Sequence, residues 1–466
     1  MGATRNQRWR GVALFLVALV CSALGWTSPA TARASRALPA PPRSRAPPIG
    51  MAALPEPTVA ADLAWNLWFT LPIFPFGNRK TVRAEVVRGQ VWTLDQLQGT
   101  LYVHVPVRMT LVKYRDAETG ANALLAYCPV APTRECIRLV REIEAEHGPV
   151  LQVVLPTLGV EHKVFAGPFT RALGRKAQLW VLPGQYSFPI DLPLGWVGFA
   201  GTGARPLPPT SAGLPWESQI DHAILGTFRS RDGAFAEAAF LHRPSRSLLV
   251  VDTIVTAKTE PPPIMNWDVD AMLFHARDTG FETVRDSPQV RKRGWLRIAL
   301  FALYFNPAGI RVKSLKDSFT DSRLTPPEMQ RLGWLGLYPW DWDPDMAEAS
   351  FAAIKDRPLV PPVLRELILD RQPEATLDFA RKVATWKFDK IIPAHLNAPV
   401  RASPAEWLRA WSFLTEKALD IEQLLPTPLR RAEPIEGDLK LLREVSQTLT
   451  DSNVVQPPGK KLKTLI

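Results

Sequence analysis

VLQVVLPTLGVEHKVFAG (residues 150–167) sets the architecture of this chain. Residues 150–157 are nearly all apolar, the composition of a strand buried on both faces. The polar pair Glu161–His162 follows, in a loop leading to a short helix over FTRALGRK (169–176). Upstream, ECIRLVREIEAEHG (135–148) puts Ile137, Leu139, Val140 and Ile143 on one helical face, and Gly148 stops it. Downstream, AQLWVLPG (177–184) is another strand. Such a β-α-β-α-β run needs a sheet covered by helices, so the chain is of the α/β class.

Working outward, TVRAEVVRGQVWTLDQ (81–96), TLYVHVPVRMTLVKY (100–114) and NALLAYCPV (122–130) alternate β-branched and aromatic residues between turns, as strands do. Residues 191–216 form a Pro/Gly-rich excursion, and EAAFLHRPSRSLLVVDT (237–253) is a hairpin turning at Arg243–Arg246. GWLRIALFALYF (294–305) is too short to span a bilayer and is a buried helix or one lying on a membrane, burial being preferred. Residues 363–387 supply helices, and FDKIIPAHL (388–396) is a last strand running into a turn. The tail from 401 opens with a capped helix at SPAEWLRAW and then fades into polar, Pro-containing sequence. LAWNLWFTLPIFPF (63–76) carries five aromatics, with Pro72 and Pro75 forbidding a regular helix; it plugs a groove or rests on a membrane, with the plug preferred.

The net charge of +11 points at first to nucleic acid. Residues 1–55, however, hold seven Arg and no acid; 56 basic residues less these seven leaves 49 against 45 acidic ones. With no basic stripe interleaved with stacking aromatics and no zinc-finger spacing, nucleic-acid binding is set aside. Of three cysteines, Cys21 lies in the leader; Cys128 and Cys136 are read as two free thiols in a reducing lumen rather than one disulfide. Residues 1–34 read as a signal peptide: a basic start, the apolar run 11–26 and a small-residue cleavage pattern at Ala32–Ala34. Residues 35–55, rich in Arg and Pro, resemble a transit peptide, and the pair is the two-part leader of algal plastids bounded by extra membranes; secretion is the alternative. The expected order is leader, aromatic lead-in (56–79), main domain (80–400, with an insertion at about 256–358) and C-terminal helical extension and tail (401–466).

Seven His allow each to be weighed. His162 with Glu161 follows one buried strand, Asp252 ends SLLVVDT, and His395 ends KIIPAH. Carboxyl ends of buried strands are where α/β sheets bind ligands, and these donors suit zinc, iron or manganese. His104 alternates along a strand, His147 ends a helix, His242 precedes the hairpin turn and is structural or a partner to a ligand across that hairpin, and His222 and His275 are expected on helix surfaces. Trp216 and Asp221 are loop anchors or shape the mouth of the site, and Arg108 balances a buried carboxylate.

In order and spacing these residues resemble the metallo-β-lactamase superfamily. Its His-x-His-x-Asp-His run, set against VVLPTLGVEHKVFAG, puts His162 at the last His and Glu161 at the Asp. Asp252 then falls at the bridging Asp and His395 at the terminal His. The two earlier His positions read Thr157 and Gly159, and the remaining one falls in RSRDGAF, where only Asp232 could ligate. Five blocks, from VWTLDQLQGTLYVHVPVRMTLVK to FLHRPSRSLLVVDT, are similar to the plant and algal plastid branch of domain-of-unknown-function family 4336 over about residues 75–400. The resemblance implies an α/β (α+β) sandwich, the metallo-β-lactamase-like αββα fold with loop and helical insertions, and a plastid location. It implies no reaction.

Two functions follow as expectations. One is a non-catalytic plastid protein with a binding or assembly role, touching a plastid protein or the thylakoid surface. The other is a mononuclear hydrolase of an ester, thioester or phosphoester, holding one Zn or Fe ion on Glu161, His162, Asp252 and His395. For the leader, residues 1–55 fused to a fluorescent protein are expected to carry it into the plastid; fluorescence in the medium would refute that reading.

Overall fold

The computed structural model describes residues 60–465 except 66–73, 76, 101, 186–192, 232, 334–335 and 417–431. The leader and Asp232 therefore lie outside the described residues, as does most of the aromatic segment 63–76. Of that segment, Leu63 is buried, Trp65 meets Phe165 edge-on, and Phe74 stacks on His104.

The first half builds strands β1 (Val82–Val87), β2 (Val91–Thr100), β3 (Val103–Arg115) and β4 (Asn122–Tyr127). Helix α1 (Arg134–His147), β5 (Val150–Leu155), α2 (Val160–Leu173), β6 (Gln178–Val181) and β7 (Arg205–Pro206) follow. They form one seven-stranded sheet in sequence order, antiparallel from β1 to β4 and parallel from β4 to β7. The second half supplies β8 (Ile220–Arg229), β9 (Ala234–His242) and β10 (Ser247–Val250) as a meander. After α3 (Val269–Ala276) and α4 (Pro288–Tyr304), a two-stranded sheet of β11 (Ile310–Val312) and β12 (Trp340–Trp342) encloses α5 (Leu315–Ser322) and α6 (Pro327–Gln330). Then come α7 (Pro344–Ile354), α8 (Pro362–Leu367), α9 (Pro373–Ala384), β13 (Lys390–Pro393), β14 (Val400–Arg401), α10 (Pro404–Ala410) and α11 (Glu436–Asp451). The second sheet is ordered β14-β13-β10-β9-β8.

Alternation along the strands sorts side chains into layers. Leu125 and Tyr127 on β4, Ala236 and Phe240 on β9, and Leu249 on β10 meet in one core between the sheets. Leu124, Ala126, Val153 and Leu155 face the other way, onto Val140 and Ile143 of α1 and Phe169 of α2. Leu241, Leu248 and Ile391 turn outward from the second sheet onto Trp295, Ile298 and Leu377 of α4 and α9. Helices, two sheets and helices again make the expected αββα sandwich.

Several local expectations need correction. The helix after β5 starts at Val160 rather than near 169, so Glu161 and His162 stand in its first turn instead of a loop. Gly167 and Pro168 look like breakers, yet the helix runs through them; a Cβ on Gly167 would lie 2.2 Å from the Gly198 carbonyl, so that glycine permits close packing. His222 is on strand β8, buried, with Ser211 Oγ 2.8 Å from Nδ1 and Pro208 O 2.8 Å from Nε2. His275 is helical but fully buried, because the β11–β12 sheet covers it and Trp340 stacks on its ring. The tail also does not simply fade: α11 packs against α8, and its buried Asp438 accepts from Ala308 N and Ser350 Oγ.

Segment 294–305 is part of α4, with Trp295, Ile298, Leu300 and Leu303 in the core, and no described helix is long and apolar enough to cross a membrane. Arg297 points inward and caps α3, donating to the carbonyls of His275, Ala276 and Arg277. Both Cys128 and Cys136 are buried free thiols.

Burial pulls His242 down from 6.5 to about 4, so the folded state keeps it neutral where the unfolded chain would bind a proton. Its contribution to stability is complete above pH 6.5 and is lost as pH falls toward 4. Replacing His242 with Leu is expected to flatten the stability–pH curve in that window, read by denaturant unfolding at several pH values; an unchanged slope would contradict it.

Candidate metal centre

Register brings the candidate residues together. β10 and β13 are parallel with Val250 opposite Pro393, so Asp252 and His395, each two residues further on, emerge level with one another. Across the sandwich, β5 runs through Pro156 into Thr157, which forms a bridge with Glu237 of β9. Gly159 then opens α2. A Cβ at 159 would lie 2.4 Å from Glu161 Oε1, so the glycine lets the Glu161 carboxylate fold back over the helix start in this pose.

The result is a group of three donors. One ligand atom each from Glu161, Asp252 and His395 lie within 4.8 Å of one another. His395 Nε2 is 3.2 Å from Asp252 Oδ1, an ion-pair distance, although no atom meets that nitrogen in hydrogen-bonding geometry. His162 stands beside the group, its ring centroid 5.3 Å from that of His395, but is not one of the three.

The backbone fixes both imidazoles. His395 Nδ1 is 3.2 Å from Pro106 O, and His162 Nδ1 is 3.4 Å from Pro129 O. A carbonyl only accepts, so each Nδ1 carries a proton; Nε2 of His162 then presents a lone pair, and Nε2 of His395 presents one once it gives up the proton that its pairing with Asp252 favours. That is the tautomer a metal ligand needs. Both Nε2 atoms and Glu161 Oε2 are buried without a hydrogen-bond partner. The donor set therefore fits a divalent transition-metal ion.

Electrostatics follow from burial and crowding. Burial and the charge of Asp252 push the Glu161 carboxyl well above the usual range, while His395 opposes them. Burial alone would raise Asp252, but His395 and His162 hold it below its ordinary value. Burial would lower His395, yet Asp252 and Glu161 keep it raised; His162, buried beside His395, is pulled down to about 3. Cys128, at the end of β4, is pushed well up by burial and by Asp252, so it stays a thiol.

Two charged residues support the cluster. Arg108 donates from Nε and Nη2 to Asp95 at 2.8 and 2.7 Å, and to the carbonyls of Pro393 (2.7 Å) and Leu396 (3.1 Å). The carboxylate partner expected for Arg108 is thus Asp95, and the same guanidinium clamps the turn bearing His395. Glu237, which the sequence reading passed over, is fully buried. Its carboxylate accepts from the amides of Val251, Asp252 and Thr253 and from Thr253 Oγ1. The available signal was one carboxylate inside AFAEAAFLH, the otherwise apolar strand β9.

Trp216 and Asp221 do not shape the mouth of this site. Asp221 pairs with Leu241 at the sheet end opposite Val250 and bonds Arg243, because β8 runs parallel to β10 and begins where β10 begins. Trp216 is buried between the sheets against Trp180 and Phe240.

An αββα sandwich with a carboxylate–imidazole cluster at its strand ends defines the class. The chain belongs to the family described as domain of unknown function (DUF4336), which matches residues 88–413. No curated protein matches it. Among solved structures, a mutant flavo di-iron protein from Thermotoga maritima is 8% identical, over 72% of this chain and 62% of that one, with a TM-score of 0.37. The chain thus spans under two thirds of that protein. A metallo-β-lactamase from Pontibacter korlensis is 14% identical over 38% of this chain and 73% of that one, TM-score 0.27. The mono-zinc form of the metallo-β-lactamase FIM-1 from Pseudomonas aeruginosa is 13% identical over 36% and 67%, TM-score 0.25. Likenesses of this size say nothing of chemistry; the layers and the donor set stand on their own geometry.

Removing the guanidinium by Arg108→Leu leaves Asp95 as a buried, unpaired charge, and is expected to cost about 3–5 kcal/mol. Asp95→Asn should cost less, since Arg108 keeps its two carbonyls. Urea unfolding of both variants checks the order, which an equal loss would overturn.

Proposed function

We propose that this protein binds a single Zn or Fe ion on Glu161, Asp252 and His395, with His162 beside them, and serves as a metal-dependent hydrolase of an ester, thioester or phosphoester. One observation carries the reading. Glu161 Oε2 and His162 Nε2 are buried polar atoms without hydrogen-bond partners, and His395 Nε2 has only Asp252 Oδ1, 3.2 Å away and outside hydrogen-bonding geometry. In a cluster that merely tied strand ends together, each of these atoms would meet a hydrogen-bond partner. Leaving each unsatisfied costs about 1–3 kcal/mol, a cost an ion removes. A bound ion would supply Lewis acidity, lowering the pKa of a water it holds toward about 7. The chain's own part is to orient both imidazoles through Nδ1, to hold Asp252 and His395 level, and to keep the Glu161 carboxylate folded over the helix start.

A second reading is a non-catalytic role in binding or assembly. Two cavities among the described residues, of about 630 and 570 Å³, favour it, because neither touches the cluster. The first lies among Arg365, Arg409 and Arg443, the second beside Ser211 and Lys382. We place either function in a plastid, on the strength of the leader composition and the five blocks of family resemblance.

Metal analysis of the purified protein is expected to find one Zn or Fe per chain, and much less in His395→Ala and Asp252→Ala. A content near zero in the intact protein would sink the ion reading. Ion present but no turnover of nitrophenyl esters, thioesters or phosphodiesters would leave the non-catalytic role.

A further inference from the structure

The carboxylate of Glu237 is spent on backbone. Its Oε1 takes Val251 N at 2.9 Å and Thr253 Oγ1 at 2.6 Å; its Oε2 takes Asp252 N at 2.7 Å and Thr253 N at 2.9 Å. Three consecutive amides and a hydroxyl therefore converge on one side chain that is fully buried. The segment they belong to leaves β10 at Val250 and carries Asp252 into the ion site. Among the described residues Glu237 is the acceptor of all three amides, since β10's ladder with β13 ends at Val250↔Pro393. Glu237 itself is fixed on strand β9 between Ala236 and Ala238, whose side chains lie in the core between the sheets, and by its bridge to Thr157.

We propose that Glu237 is the positioning residue of the ion site. It clamps residues 251–253 so that the Asp252 carboxylate faces Glu161 and His395, and it is not itself a ligand. This rests on the ion reading of the preceding subsection. It adds a commitment about stoichiometry. With both Glu237 oxygens engaged by amides and Thr157 as its neighbour, no second ion is held on this side of the cluster.

Glu237→Gln keeps the size of the side chain but turns an NH₂ toward at least one amide donor; placed on the Oε1 side it meets Val251 N–H, whose bond is lost, while the Thr253 hydroxyl turns to accept. Thr253→Val removes only the hydroxyl donor and keeps the shape. Zinc affinity, measured against a competing chelator, is expected to fall about 10–100-fold in Glu237→Gln, the range seen for residues that orient metal ligands, and less in Thr253→Val. Metal-free melting temperature and amide exchange at Asp252 and Thr253 are measured in parallel; exchange should quicken in Glu237→Gln. Should Glu237→Gln fail to fold, Thr253→Val carries the test alone.

Unchanged zinc affinity in the variants, with only melting temperature lowered, would make Glu237 merely structural and overturn the proposal. Two ions per wild-type chain, falling to one in Glu237→Gln, would make it a ligand and overturn it too. A wild type that binds no ion fails the ion reading itself. In that case quickened exchange at Asp252 would still show the clamp, so the two failures are told apart.

Discussion

The pairing of β10 with β13 is the constraint on which the rest depends. Parallel strands need a long crossover, and here the chain between them runs from α3 to α9. Only when that excursion has folded back does Val250 sit opposite Pro393. A slip of one residue would turn His395 to the other face and take Asp252 out of line with it. Arg108 guards that register from the facing sheet, since it reaches across to the carbonyls of Pro393 and Leu396. Val107, its neighbour, forms a bridge with His395 itself.

Buried charge is handled in two ways around the site. Asp95 and Arg108 satisfy each other and leave only a guanidinium face for backbone carbonyls. Glu237 has no cation and relies on amides, which suit an anion where sheet ends leave N–H groups without ladder partners. The three-donor group gathers donors from three strand ends, with Glu161 Oε2 left outside any hydrogen bond and His395 beside Asp252.

The layers, the hairpin and the three strand ends were legible because hydrophobic period and turn residues report them directly. SLLVVDT and KIIPAH read as apolar runs ending in a donor, and they are so. What escaped was whatever a distant contact decides. Gly167 reads as a breaker inside α2, yet it packs flush against Gly198, a contact 31 positions away that local pattern cannot see. His275 is a plausible surface residue until the β11–β12 sheet folds over it. Glu237 looks like a misplaced charge in a core strand until residues 251–253 arrive to receive it. Asp232 lies outside the described residues.

Gly159 separates this site from the paired-imidazole run of the metallo-β-lactamase superfamily that it resembles. It stands where that alignment puts an imidazole, and its bare Cα is what admits the Glu161 carboxylate. Any side chain there would begin inside the space Glu161 fills. A side chain at 159 therefore requires the Glu161 carboxylate to swing off the helix start, so the present pose and a paired imidazole run are two different uses of one small volume. The empty place beside the Cα of residue 159 is what the carboxylate occupies here.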